Sequence, residues 1–124
     1  KELEAHAYRM AMLLEVINFT IPGVPCVYQG DEYGEAGAND PDNRHMMKFD
    51  GLNKEQQEFR TKVQELAQLR RNNMALIYGE YIPMQVTDTK LRFQRVYMGE
   101  VVDVVIDLNG ESSITINGDK VWTI

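Results

Sequence analysis

The residues best suited to chemistry are the carboxylates of one acidic loop. Asp31 and Glu32 follow a short apolar run, and Asp40 and Asp42 lie further along the same loop. Paired carboxylates act as general acid and base when their surroundings separate their pKa values. Asp31 and Glu32 are adjacent and would point to opposite sides of an extended chain, whereas Asp40 and Asp42 can share a side. In the absence of a desolvating pocket we interpret all four as solvated loop carboxylates.

The loop does not match a calcium-binding loop either. An EF-hand loop beginning at Asp40 would require Asp or Asn at Arg44, glycine at His45 and glutamate at Gly51. His45 has no ligand partner at a recognised spacing, and His6 is interpreted as a helix-packing residue. We predict no catalytic residue, metal or cofactor within this chain.

The overall charge restricts the partners. A formal net charge of -6 and a pI near 4.9 disfavour nucleic acid and anionic membranes as partners. The sequence contains no apolar run long enough for a membrane span. The single Cys26 lies in the apolar run and is interpreted as a small buried hydrophobic residue.

A first helix and a short strand must position the loop. The strand is predicted at Val24–Tyr28, an apolar run bounded by turn residues. The helix is predicted over about residues 2–19. Its apolar stripe consists of Leu3, Ala7, Met10, Leu14 and Ile17, and Ala11 and Leu13 widen it.

A second helix follows the loop. Asn53 and Gln56 have the spacing of a capping box at its N-terminus. Arg70 and Arg71 place positive charge at its C-terminal end. Its predicted buried stripe consists of Phe59, Val63, Leu66 and Leu69.

From about Met74 the pattern becomes strand-like. Frequent turn signals, of which Asn109-Gly110 and Asn117-Gly118 are the strongest, predict short antiparallel strands. The predicted fold class is therefore an α+β fragment, with two helices and a short barrel-type strand followed by a small antiparallel β-sandwich. We predict two domains, residues 1–73 and 74–124.

The order of these elements resembles the C-terminal part of the α-amylase family of glycoside hydrolases, in the neopullulanase or maltodextrin-degrading type. The resemblance covers nearly the whole chain. It implies that residues 1–73 are a remnant of a TIM-type barrel ending in its last strand and helix, and that residues 74–124 are domain C. The matching residues are Gly23, Pro25, Tyr28, Gly30 and Glu32 in the strand motif, then Asp42, Arg44, Met47 and Asp50 in the loop.

The resemblance also implies a function. Glu32 and Arg44 would lie at the rim of a sugar-binding site, or would brace the loop over the barrel mouth. The parent enzyme would hydrolyse α-glucosidic bonds in starch-derived oligosaccharides, using catalytic carboxylates that this chain does not contain. The fragment alone is therefore expected to be inactive.

An alternative function belongs to a different class of protein. The chain could be a non-catalytic carbohydrate-binding or interaction β module that presents aromatic residues to a glucan or a partner. In a fragment of a barrel, helix faces that the barrel would cover lose much of their cover. We therefore expect the helices to pack on each other or on the β domain, or copies of the chain to associate through these faces. The aromatic residues in question are Tyr78, Tyr81, Tyr97 and Trp122.

Overall fold

The structure is a computed structural model that describes residues 1–37, 40–42, 44 and 46–124. It confirms the predicted α+β class. Within these residues no helix is long and apolar enough to cross a membrane. The helices are α1 (Glu2–Thr20), a 3-10 helix (Asp31–Tyr33), α2 (Lys54–Asn72) and α3 (Met74–Tyr78).

The strands form one antiparallel sheet in which each strand pairs with the next along the chain. Asn117 and Gly118 both have positive φ and make the predicted two-residue turn before the last strand. The other predicted turn, Asn109-Gly110, lies instead within a five-residue connection, residues 108–112. A further turn has positive φ at Met98 and Gly99. The strands are β1 (Glu80–Val86), β2 (Lys90–Tyr97), β3 (Glu100–Asp107), β4 (Ser113–Ile116) and β5 (Asp119–Thr123).

Helices pack on one face of the sheet, and one hydrophobic core joins both halves of the chain. It combines Val16 of α1 and Leu66 of α2 with Leu76 of α3 and Val104 of β3. The layer packed on the described sheet is therefore helical. The predicted boundary between residues 73 and 74 remains a prediction, although residues on both sides of it contribute to this core.

The capping box of α2 is confirmed. The Asn53 side chain accepts a hydrogen bond from the Gln56 backbone N–H at 2.8 Å, and the Gln56 side chain accepts one from the Asn53 N–H at 3.1 Å. The helix therefore begins at the predicted position. Residues Met74–Tyr78, predicted to begin the strand-like region, form the short helix α3 instead.

The predicted apolar stripe of α1 was partly right. Leu13 is buried, and Met10, Ala11 and Ile17 are partly buried against the core. The helix also buries Met12, Val16 and Phe19, whereas Leu14 is 66% exposed. Several faces of α1 are apolar, and the face that is buried depends on α2 and the sheet. Leu3 and Ala7 also lie on the exposed side.

The predicted strand at Val24–Tyr28 is extended but not assigned as a strand. A strand requires a neighbour, and no described strand pairs with it. The Asn18 side chain bonds both backbone groups of Cys26, donating to its oxygen at 3.0 Å and accepting from its N–H at 3.3 Å. Cys26, interpreted as buried, and His6, interpreted as a helix-packing residue, are both exposed, and so is Tyr28.

Two buried arginines connect the helices to each other and to the sheet. Arg95 of β2 is 1% exposed and donates to the backbone oxygens of Thr20 (2.7 Å), Leu76 (3.0 Å) and Gly79 (3.1 Å). These oxygens lie at or just beyond the C-terminal ends of α1 and α3. Helix C-termini carry partial negative charge and unpaired carbonyl groups, so a guanidinium is well matched to them.

Arg70 makes a similar set of bonds from α2. It donates to the oxygens of Phe19 (2.9 Å), Ile21 (3.0 Å) and Gly23. Burial lowers the pKa of both arginines, and their mutual repulsion lowers that of Arg95 further. Together the two arginines donate hydrogen bonds to four backbone oxygens at the C-terminal end of α1, those of Phe19, Thr20, Ile21 and Gly23.

We predict that Arg95→Ala lowers the free energy of unfolding by about 3 kcal/mol, because it leaves buried carbonyl groups without donors. The measurement is urea denaturation followed by far-ultraviolet circular dichroism. The matched control is Arg92→Ala, on the opposite face of β2, where the side chain pairs with Asp103 at 2.7 Å and is 42% exposed. It should cost much less than Arg95→Ala, because exposed ion pairs contribute little to stability. Equal losses would contradict the role assigned to Arg95.

Candidate functional site

The candidate site is the loop that follows Val24–Tyr28. Gly30 has a φ of 96°, and its N–H donates to the Glu32 carboxylate at 2.8 Å. The Gly30 carbonyl accepts from the backbone N–H groups of Tyr33 (3.2 Å) and Glu35 (2.9 Å). Glu32 thus stabilises the turn that begins the acidic loop.

Tyr33 anchors the two ends of this loop. Its ring is buried, and its hydroxyl accepts a hydrogen bond from the Lys48 N–H at 3.2 Å. The Lys48 ammonium also lies 3.7 Å from the Glu35 carboxylate. Side chains at the start of the loop therefore fix its far end.

Arg44 lies on the exposed part of the loop. Its guanidinium pairs with the Asp40 carboxylate at 3.0 Å, and both side chains are more than half exposed. Its backbone N–H donates to the Pro41 oxygen at 3.0 Å. Within the described residues no contact brings Glu32 and Arg44 together. Ala38, Asn39, Asn43 and His45 lie outside the described residues.

A recess of about 260 Å³ opens beside the start of the loop, and Tyr28, Gln29, Asp31 and Met46 contribute to its lining. Tyr28 is 52% exposed. An exposed aromatic ring next to a carboxylate and a carboxamide can contact a ligand that has both apolar and hydroxyl surfaces. Glu32 lines a neighbouring recess with Met47.

Glu15 is a buried carboxyl group that the sequence reasoning missed. It lies on α1 and lines a cavity of about 440 Å³ together with Glu4, Asp31 and Glu35. Burial raises the pKa of Glu15, the negative charges of Asp31 and Glu32 raise it further, and a weak hydrogen bond from Asn18 opposes the shift. Its position in the middle of a helix, rather than in the loop, gave no signal in the sequence.

The described residues give little support for a metal site or for a flat aromatic binding surface. Among the described residues no group of three His, Cys, Asp or Glu side chains could hold a metal ion. The predicted aromatic surface within residues 74–124 is also incomplete, because Trp122 is 4% exposed. Tyr78 and Tyr97 do lie together, with ring centroids 5.9 Å apart and planes tilted by 42°.

Comparison with protein-family models gives no match. The chain is 34% identical over 110 residues to a cyclomaltodextrin glucanotransferase of Geobacillus stearothermophilus, covering 89% of this chain and 15% of that protein. It is 31% identical over 106 residues to a cyclomaltodextrinase of Thermoanaerobacter pseudethanolicus, covering 86% of this chain and 18% of the relative.

Solved structures show the same relationship. The α-amylase from Geobacillus thermoleovorans, complexed with acarbose, matches with a TM-score of 0.73 and 25% identity, over 88% of this chain and 24% of that one. A gamma-CGTase from the alkalophilic Bacillus clarkii matches with a TM-score of 0.68 and 32% identity, over 87% and 16% of the two chains. The chain is related to the α-amylase family.

The relationship to the α-amylase family has a defined extent. The chain spans between 15% and 18% of the length of the two curated relatives described above. The matches extend over more than four fifths of this chain, which is more than either the helical part or the sheet contains by itself. The family resemblance seen in the sequence is thus confirmed at the level of both sequence and fold.

The loop geometry leads to a prediction about Gly34. Gly34 and Gly51 share a φ of 71°, but an added Cβ at Gly34 would lie 2.7 Å from the Tyr8 ring, whereas none of the described atoms lies within 4 Å of a Cβ at Gly51. Gly51→Ala should cost about 1–2 kcal/mol through backbone strain alone. Gly34→Ala should cost more, because the Tyr8 ring must also move. Thermal denaturation of both variants tests this, and equal shifts would exclude the predicted clash.

A second prediction concerns Glu15. A raised folded-state pKa means that its stabilising contribution is present below the ordinary glutamate pKa of about 4.3 and is lost as the pH rises through the folded value. Glu15→Gln should therefore match the wild type near pH 4 and be more stable at pH 7. Urea denaturation across this range gives the comparison, with the exposed Glu58→Gln as control. A constant difference at all pH values would be inconsistent with titration of Glu15.

Proposed function

We propose that the chain is the C-terminal part of a retaining glycoside hydrolase that acts on α-glucosidic bonds in starch-derived oligosaccharides. The observation that carries the proposal is agreement of sequence and fold, over more than four fifths of the chain, with enzymes named for cyclomaltodextrins and amylase activity. The acidic loop and its neighbouring recess would then belong to the sugar-binding face of the parent enzyme.

The isolated chain is proposed to be catalytically inactive. Retaining glycosidases require two carboxyl groups roughly 5 to 5.5 Å apart across the scissile bond. A TIM-type barrel brings such groups together from the ends of several strands. The described part of this chain contributes one extended segment, Val24–Tyr28, which is followed by the adjacent residues Asp31 and Glu32. A single segment does not bring together carboxyl groups from the ends of several strands.

Within the parent enzyme we assign different tasks to the two rim residues. Glu32 shapes the turn through its bond to Gly30, so its effect on substrate is indirect. Arg44 keeps an exposed guanidinium that donates hydrogen bonds and carries no acceptor. It is therefore the better candidate for direct contact with sugar hydroxyl groups.

The alternative function, a carbohydrate-binding module with an aromatic platform, has weaker support. Burial removes Trp122 from such a platform, and the tilt between Tyr78 and Tyr97 gives the pair no common flat face. The exposure of Tyr78 (65%) and Tyr81 (39%) is in its favour.

The test uses both the chain and its full-length protein. The chain alone should release no reducing ends from maltoheptaose, whereas the full-length protein should hydrolyse it. In the full-length protein Arg44→Ala should raise KM about tenfold, with a smaller change in kcat, through the loss of a charged hydrogen bond. Arg71→Ala, an exposed arginine on α2, is the matched control and should leave KM unchanged.

Two results would overturn the proposal. Hydrolysis by the isolated chain would show that its own carboxylates suffice. A full-length protein that cleaves no α-glucan would remove the assignment to α-glucosidic bonds.

A further inference from the structure

A groove of about 610 Å³ lies between α2 and β5, outside the loop described above. Its polar side carries Gln64, Gln68 and Asn72, and its apolar side is formed by Leu69, Val121 and Trp122. The volume lies within the range typical of small-ligand sites, about 300 to 1,000 Å³. None of Tyr28, Glu32 and Arg44 belongs to it.

The three carboxamides form a regular row. They lie four residues apart on α2, which places successive side chains on one face with an axial spacing of about 6 Å. Within the described residues none of the three side chains makes a hydrogen bond. Each carboxamide both donates and accepts. The row therefore matches a ligand whose hydroxyl groups also do both.

The other side of the groove is apolar. Trp122 is buried there, and its indole Nε1–H, which has no acceptor among the described residues, is inaccessible. The Lys62 ammonium lies 5.1 Å from the centre of the Trp122 ring and donates to the Thr123 oxygen at 3.2 Å. These contacts hold the indole in place, so it would line a bound ligand without serving as a stacking platform.

The charge of the groove favours a neutral ligand. Glu65 is the charged residue of its lining, and Lys62 lies 3.7 Å from the Glu65 carboxylate. An ionic ligand would meet no uncompensated opposite charge among these described side chains. A polyhydroxylated neutral ligand would meet carboxamides on one side and apolar surface on the other.

We propose that this groove is a second binding site, specific for neutral maltooligosaccharides. The preference for α-linked glucose rests on the proposed function. The site would hold the glucan through the carboxamides of α2, independently of Arg44. Gln64 also lines the recess that contains Glu32, so the groove adjoins the candidate loop along α2.

The test uses Trp122, the single tryptophan of the chain, as a local reporter. Titration with maltoheptaose should produce a saturable change in its fluorescence, and cellohexaose, a β-linked glucan, should produce none. Gln68→Ala combined with Asn72→Ala should weaken binding about tenfold, as expected for two neutral hydrogen bonds. Gln85→Ala, the same type of change at an exposed site on β1, should have no effect.

Each further outcome supports or contradicts the proposed site. No fluorescence response to maltoheptaose at millimolar concentration, or full binding by the double variant with native circular dichroism, would overturn the site. An equal response to cellohexaose would overturn its preference for α-glucans. Binding that survives Arg44→Ala supports a separate site. Loss of hydrolysis by the full-length protein would bear on the proposed function alone.

Discussion

The architecture depends on two guanidinium groups that occupy the same small region of the interior. Arg95 reaches from the sheet and Arg70 from α2, and both bond to carbonyl groups where α1 ends. Without donors those oxygens would be buried and unpaired, at a cost of about 1–3 kcal/mol each. The cost of burying two like charges is met by the partial negative charge of the helix ends. The position at which α1 stops, and hence where the loop starts, therefore depends on residues 49 and 75 positions away in sequence.

Local signals predicted local structure well. The Asn53 and Gln56 pair located the start of α2, and Asn117-Gly118 located a tight turn, because both depend on neighbouring backbone groups. The face of α1 could not be predicted in this way, since apolar residues occur on several of its sides. Strand alternation through Phe93 places Arg95 on the same buried face, two residues further along β2.

The assignment of Glu32 and Arg44 to the candidate site rests on family resemblance and stays a prediction. The structure adds their separate local partners, Gly30 and Asp40. The sequence could not reveal Glu15, because its burial arises from packing between α1 and the loop. Nor could it reveal the α2 groove, because exposed glutamines are common on helices and their neighbours on β5 are distant in sequence.

The pairing of Asn18 with Cys26 has a consequence for assembly. One carboxamide imitates the two hydrogen bonds that a neighbouring strand would make with that residue. Around it the chain keeps the alternation of a strand, with Pro25 and Val27 half-buried between exposed Val24, Cys26 and Tyr28. An extended, apolar segment of this kind is a template for β-augmentation. A second strand could add alongside it by displacing one side chain, without refolding the helix that carries Asn18.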